Sequence, residues 1–205
     1  MCDNPRVSAT APEKRPTVLA VFLVVGGVIG FLAAFALTLD DIADLTKTNY
    51  QPSCNFSVLV GCSANLESWQ GSLFGFPNPL LGLVGWTATI AVGTGILAGA
   101  RFSRWFWILF NLGVVGALSL VVWLISQSVF VLNVLCPWCM VTWAITIPTF
   151  WGVTFYNLKS GNIPATESIR RRAGAFYFWV PLISLVSYAI VATIAQLQLD
   201  WLHRI

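Results

Sequence analysis

Residues 136–156 read CPWCMVTWAITIPTFWGVTFY. The run contains no Asp, Glu, Lys, Arg or His, and its length suits a helix crossing a hydrocarbon core about 30 Å thick. It is predicted to span a membrane, with two cysteines at its opening. Four more uncharged runs flank it, at 17–39, 79–100, 105–127 and 176–197. Over the 205 residues, 57% are apolar and 9% charged, whereas an ordinary soluble domain carries roughly 25% charge. That balance excludes a soluble globular enzyme. With a formal charge of +3 it also excludes a typical nucleic-acid binder. The expected fold class is an all-α integral membrane protein with five spanning helices.

Small residues and tryptophans fit this setting. Gly26, Gly27 and Gly30 in the first run, and Gly93, Gly95 and Gly99 in the second, allow close backbone approach between membrane helices. The 10 tryptophans suit membrane interfaces. Ala34-Phe35-Ala36 resembles a leader-cleavage site, but the apolar run before it exceeds a usual leader core, so the first span is read as retained. The chain divides into a tail (1–16), a core (17–156) with an outer loop at 40–78, a polar connection (157–175) and a last span with its tail (176–205).

The distribution of basic residues sets the topology. Arg6, Lys14, Arg15, Arg101, Arg104, Lys159, Arg170, Arg171 and Arg172 fall on one side by parity, and only Lys47 and Arg204 on the other. The positive-inside rule then places the amino terminus in the cytoplasm and the carboxyl terminus outside it. Asp40, Asp41 and Asp44 are read as a solvated helix exit, and His203 as a solvated terminal residue. Asn111 and Gln127 are read as hydrogen-bonding between helices. Residues 65–76 carry apolar side chains at helical spacing and suggest either a short interfacial helix or an irregular loop.

Cys54 and Cys62 lie in the outer loop, on the same non-cytoplasmic side as Cys136 and Cys139. That side favours disulfides; Cys2 faces the reducing side and is read as inert. Residues three apart on a helix share a face, so the CPWC pair can close a small, easily reduced ring. In the first turn of a helix, unpaired N–H groups and the dipole favour a thiolate. Pro137 fits there without losing a hydrogen bond. A structural zinc on the four sulfurs, or a simple loop staple, is the alternative, although Cys54 and Cys62 lack the usual zinc spacing and no histidine is near. On the redox reading, a soluble partner reduces the loop pair and the loop pair reduces the embedded pair. A lipid quinone, at home at that interface, then takes the electrons.

Cys54, Cys62, Ser68, Asn78 and a CPWC opening the fourth span, in that order, resemble the vitamin K epoxide reductase family. The match is closest to its bacterial quinone-linked, disulfide-forming members and covers about residues 18–155. The resemblance implies a four-helix bundle around a menaquinone- or ubiquinone-type quinone, with the outer loop over its mouth and a fifth helix at the periphery. It implies a bacterial inner membrane. It also implies that Cys54 takes electrons from a DsbA-like thioredoxin-fold protein, that Cys62 exchanges with Cys136, and that Cys139 faces the quinone. Ser68 and Asn78 match positions that hydrogen-bond the quinone oxygens, where preplaced donors would stabilise growing negative charge. Without the family, Ser68 reads as a cap or loop hydroxyl and Asn78 as a turn residue. Trp143 stands where animal members carry a tyrosine, a departure that bears on epoxide chemistry, and is expected near the ring. Reduction of quinone or of its epoxide as the main activity is the alternative within this fold. Many bacterial members carry a fused thioredoxin-like domain after the fifth span; here a separate partner is expected.

Overall fold

The computed structural model describes residues 16–47, 50–57 and 59–200. Cys2, Arg6, Lys14, Arg15, His203 and Arg204 lie outside the described residues, so their assignments above are not addressed. Five helices are long and apolar enough to cross a membrane: α1 (Thr17–Thr46), α3 (Asn78–Leu97), α4 (Arg104–Gln127, prolonged by a π turn to Leu132), α5 (Pro137–Lys159) and α7 (Val180–Leu199). Among the described residues there are also two shorter α-helices, α2 (Ser63–Leu66) and α6 (Glu167–Phe178). The protein is an all-α integral membrane protein. Among the described residues there is no strand, only one isolated parallel bridge between Val60 and Leu135.

Helix α1 packs against α3 and α5, and α4 against α5. The first contact relies on missing side chains. A Cβ on Gly30 would enter the Trp86 ring, and one on Gly93 would come within 2.8 Å of the Ala20 carbonyl. With no hydrophobic drive between helices in lipid, such close approach supplies the attraction. At one end of the bundle Asn157, fully buried, ties α5 to α4 by donating to the Trp107 carbonyl and to Asn111 Oδ1, each at 3.2 Å. Asn111 thus bonds between helices, as expected.

Helix α7 lies outside the four and rests on α5 and the π turn. Pro148 explains one of its anchors. A proline has no N–H, so the carbonyl four residues earlier, Ala144, loses its helical partner. The hydroxyl of Tyr188 on α7 donates to that carbonyl. In hydrocarbon an unpaired carbonyl is costly, and a neighbouring helix that supplies a donor makes the proline tolerable.

Two expectations are corrected, and the polar connection takes a form that the sequence reading left open. The acidic exit is not solvated at Asp40 and Asp41, which are buried as α1 runs on through it; Asp44 is half-buried. The second half of the polar connection, from Glu167, belongs to the amphipathic helix α6, broken from α7 at Trp179 ahead of Pro181. Residues 65–76 form neither one helix nor a wholly irregular loop. They hold the end of α2 and a 3₁₀ turn at Trp69–Ser72, separated by Ser68 in an extended conformation and followed by Gly75 at φ 80°.

Candidate active site at the cysteine end

The bridge between Val60 and Leu135 brings the two cysteine pairs together. Leu135 N–H donates to the Leu59 carbonyl at 2.8 Å and Gly61 N–H to the Leu135 carbonyl at 3.0 Å. Each of these bonds lies within three residues of a cysteine. The approach to Leu135 is set by Asn133, which ends the π turn in the left-handed region at φ 54°, a conformation asparagine tolerates better than most residues. On the loop side, Asn55 Oδ1 accepts from Cys62 N–H at 2.8 Å and its amide donates to Ser63 Oγ at 2.7 Å.

Cys54 and Cys62 form a disulfide, and Cys136 and Cys139 are free thiols. Cys62 Sγ and Cys136 Sγ lie 3.4 Å apart, and both residues are fully buried. Because Cys62 is bonded to Cys54, the proton between these two sulfurs belongs to Cys136. Leu37, Leu66 and Trp138 pack around the group and shield it from water. Cys136 caps α5, just ahead of its first residue, Pro137, and its sulfur accepts the Cys139 N–H at 3.3 Å. The hydrogen bond with the Cys139 side chain holds the Cys136 thiol below its ordinary pKa against the opposing effect of burial, and the backbone N–H groups of Cys139 and Trp138 add to it.

Beyond Cys139 opens a cavity of about 880 Å³, within the range of small-molecule sites. Helices α3 and α4 form its long walls, and α1, α5 and the outer loop close the rest. Gly85, Gly113 and Gly116 line it, and a Cβ on any of them would meet nothing within 4 Å. The lining is mainly apolar and carries few polar groups. One of these, Asn65 Nδ2, is buried with no hydrogen-bond partner among the described residues, while Asn65 Oδ1 accepts from Ser128 Oγ at 3.2 Å. An apolar slot with bare backbone walls, an uncommitted donor and a thiol at one end fits a quinone ring with an isoprenoid tail.

The three other singled-out residues are placed unequally. Asn78 and Trp143 line the cavity. The Asn78 amide donates to the Gln70 carbonyl at 2.6 Å, and its oxygen accepts from Leu73 N–H at 3.2 Å, so it clamps the loop to the start of α3. Ser68 lies behind the lining and donates to the Asn65 carbonyl at 2.9 Å. Gln127 accepts from Gln70 of the loop at 3.4 Å, not from another spanning helix. Sequence reasoning passed over Asn65, whose only local signal is a polar residue three after Cys62. It also passed over Asp40, whose Oδ2 lies 3.5 Å from Cys54 Sγ.

A model described as the vitamin K epoxide reductase family matches residues 21–154. A search of curated proteins finds no match.

Proposed function

The chain belongs to the vitamin K epoxide reductase family, and from that premise, which makes it a membrane oxidoreductase, we propose that it reoxidises a DsbA-like thioredoxin-fold protein and delivers the electrons to a quinone. The observation that carries this reading is the 3.4 Å separation of Cys62 Sγ and Cys136 Sγ, a distance at which reacting atoms are already in near-attack range.

In the forward direction a partner thiolate attacks Cys54, and Cys62 leaves with the electron pair. The partner's second thiol then closes the partner's own disulfide and releases Cys54 as a thiol. Cys62 attacks Cys136 of an oxidised Cys136–Cys139 pair, displacing Cys139, and Cys54 displaces Cys136 to restore its bond to Cys62. The arrangement of one disulfide beside one dithiol is the product of that exchange. Cys136 and Cys139 next close their own disulfide, giving up two electrons and two protons at the Cys139 end of the cavity. A menaquinone- or ubiquinone-type quinone supplies the two-electron, two-proton sink there. Asn78 and Trp143 form its wall. Ser68 grips the Asn65 carbonyl, and the free Asn65 amide offers a donor where negative charge grows.

The basic residues Arg101, Arg104, Lys159 and Arg170 to Arg172 support placing the opposite end in the cytoplasm and the cysteine end outside it, in a bacterial inner membrane. The test is quinone reduction by purified protein, driven either by a reduced DsbA-like protein or by a small dithiol. Cys136→Ala and Cys139→Ala should reduce both rates to background. Cys54→Ala and Cys62→Ala should block the protein donor and spare the small dithiol. Asn65→Ala should raise the quinone KM several-fold, the worth of one hydrogen bond of about 1 kcal/mol. Full activity with the protein donor in all four cysteine variants would overturn the reading.

A further inference from the structure

One carboxylate against the outer disulfide has no part in the relay as described. Asp40 is 5% exposed, its Oδ1 accepts the Tyr50 hydroxyl at 2.8 Å, and its Oδ2 lies 3.5 Å from Cys54 Sγ. Burying a carboxylate is costly unless it is paired. Among the described residues, however, the one ion pair, Arg170 with Glu167, is at the far end of the molecule. Among the described residues the only donor on Asp40 is a neutral phenol. Its second oxygen faces a sulfur that, bonded to Cys62, has no proton to give. That contact becomes a hydrogen bond only when Cys54 is a thiol, so the carboxylate is matched to the reduced form of its neighbour.

We propose that Asp40 is the proton-transfer residue of the outer cysteine pair, taking a proton from an incoming thiol and returning it to Cys54 Sγ. The inference rests on the reading of Cys54 as the sulfur attacked by the donor. In the first step a donor thiol gives its proton to Asp40 and its sulfur bonds to Cys54. The Cys54–Cys62 bond breaks, and Cys62 leaves with the electron pair. In the second step the donor's other sulfur, its proton passing to Cys62, closes the donor's disulfide and displaces Cys54. Asp40 protonates Cys54 as it leaves. The donor loses two electrons and two protons, and the outer pair gains both.

The charged and titratable groups around Asp40 are Tyr50 from the loop, Asp44 one turn along α1, Cys136 from the start of α5, and Lys47, whose ammonium lies 5.5 Å from the Tyr50 ring. The hydrogen bond to Asp40, first among the causes, holds the Tyr50 phenol above its ordinary pKa. It therefore remains a donor to Asp40 through the pH range of thiol exchange.

The experiment uses the full chain carrying Cys136→Ala and Cys139→Ala, so that only the outer pair reacts, with dithiothreitol as the donor. Reduction is followed from pH 6 to pH 10 by mass spectrometry, which also locates the mixed disulfide. Asp40→Asn keeps the size of the side chain and an acceptor for Tyr50 but cannot take the proton. It should slow reduction at least about tenfold near neutral pH, a modest loss for a general base. The gap should close as the donor ionises by itself at high pH, and Asp40→Glu should recover part of the neutral rate. An equal loss at every pH marks a structural role and overturns the proposal, as does no loss at all. Should Asp40→Asn fail to keep its Cys54–Cys62 bond, Asp40→Glu against the parent decides by the same comparison of slopes. A mixed disulfide on Cys62 in the parent would instead overturn the order of exchange, whatever Asp40 does.

Discussion

Cys136 carries two roles in one atom: it caps a helix and it touches the disulfide. Its sulfur accepts the Cys139 N–H and stands 3.4 Å from Cys62 Sγ. Thiols react as thiolates, so a pKa held below the ordinary value moves the midpoint of a rate against pH curve to lower pH. Alkylation of Cys136, followed by peptide mass spectrometry, should therefore show its midpoint below that of an ordinary cysteine. Made in a Cys54→Ala, Cys62→Ala background, where Cys136 has no disulfide partner in the loop, Cys139→Ala removes the largest cause of the shift and should raise the midpoint above that of the background; identical midpoints would contradict the assignment. This position was legible in the sequence, because CPWC spacing and Pro137 define a helix start by local rules alone. Asp40 was not. A carboxylate at the end of an apolar run ordinarily meets water, and here it is covered because Tyr50 and Cys54 fold back onto α1, a contact that no local pattern announces.

Helix α5 gains from its neighbours what its own sequence withholds. Pro148 leaves the Ala144 carbonyl without a helical donor, and Tyr188 of α7 supplies one. Tyr188→Phe should destabilise the protein by about 0.6–1.7 kcal/mol, the range for hydrogen bonds between membrane helices. Pro148→Ala returns an N–H to the ladder, so Tyr188→Phe made in that background should cost almost nothing. A double-mutant cycle on unfolding in detergent measures both, and equal costs in the two backgrounds would contradict the pairing. The spans themselves were readable because uncharged runs of that length have few other stable uses. The outer loop was less so. Its apolar spacing over 65–76 leaves a short helix and an irregular loop equally open, and the outcome is neither: Ser68 extends to grip Asn65 and Gly75 takes a positive φ, choices made by packing over the cavity.

At the scale of the whole molecule, one end of a helix bundle gathers four sulfurs from two stretches of chain and sets them beside an apolar cavity. The gathering depends on two backbone hydrogen bonds between the outer loop and the approach to α5. Sequence order and topology placed both cysteine pairs on one face. They could not give the contact between Cys62 and Cys136, because partners 74 residues apart are joined only by the folded loop. Nor could they show that Asn65 lines the cavity with a free donor, since that depends on Ser128 holding the other end of its amide. The most direct test of the relay is the disulfide map of Cys139→Ala, isolated after acid quenching and digested without reductant. Cys136 can displace Cys54 from Cys62, and with no Cys139 to resolve the resulting bond, quenching should capture it: the map should show a population with Cys62 bonded to Cys136 and Cys54 as a free thiol. A map with Cys54–Cys62 intact and Cys136 free would contradict the account.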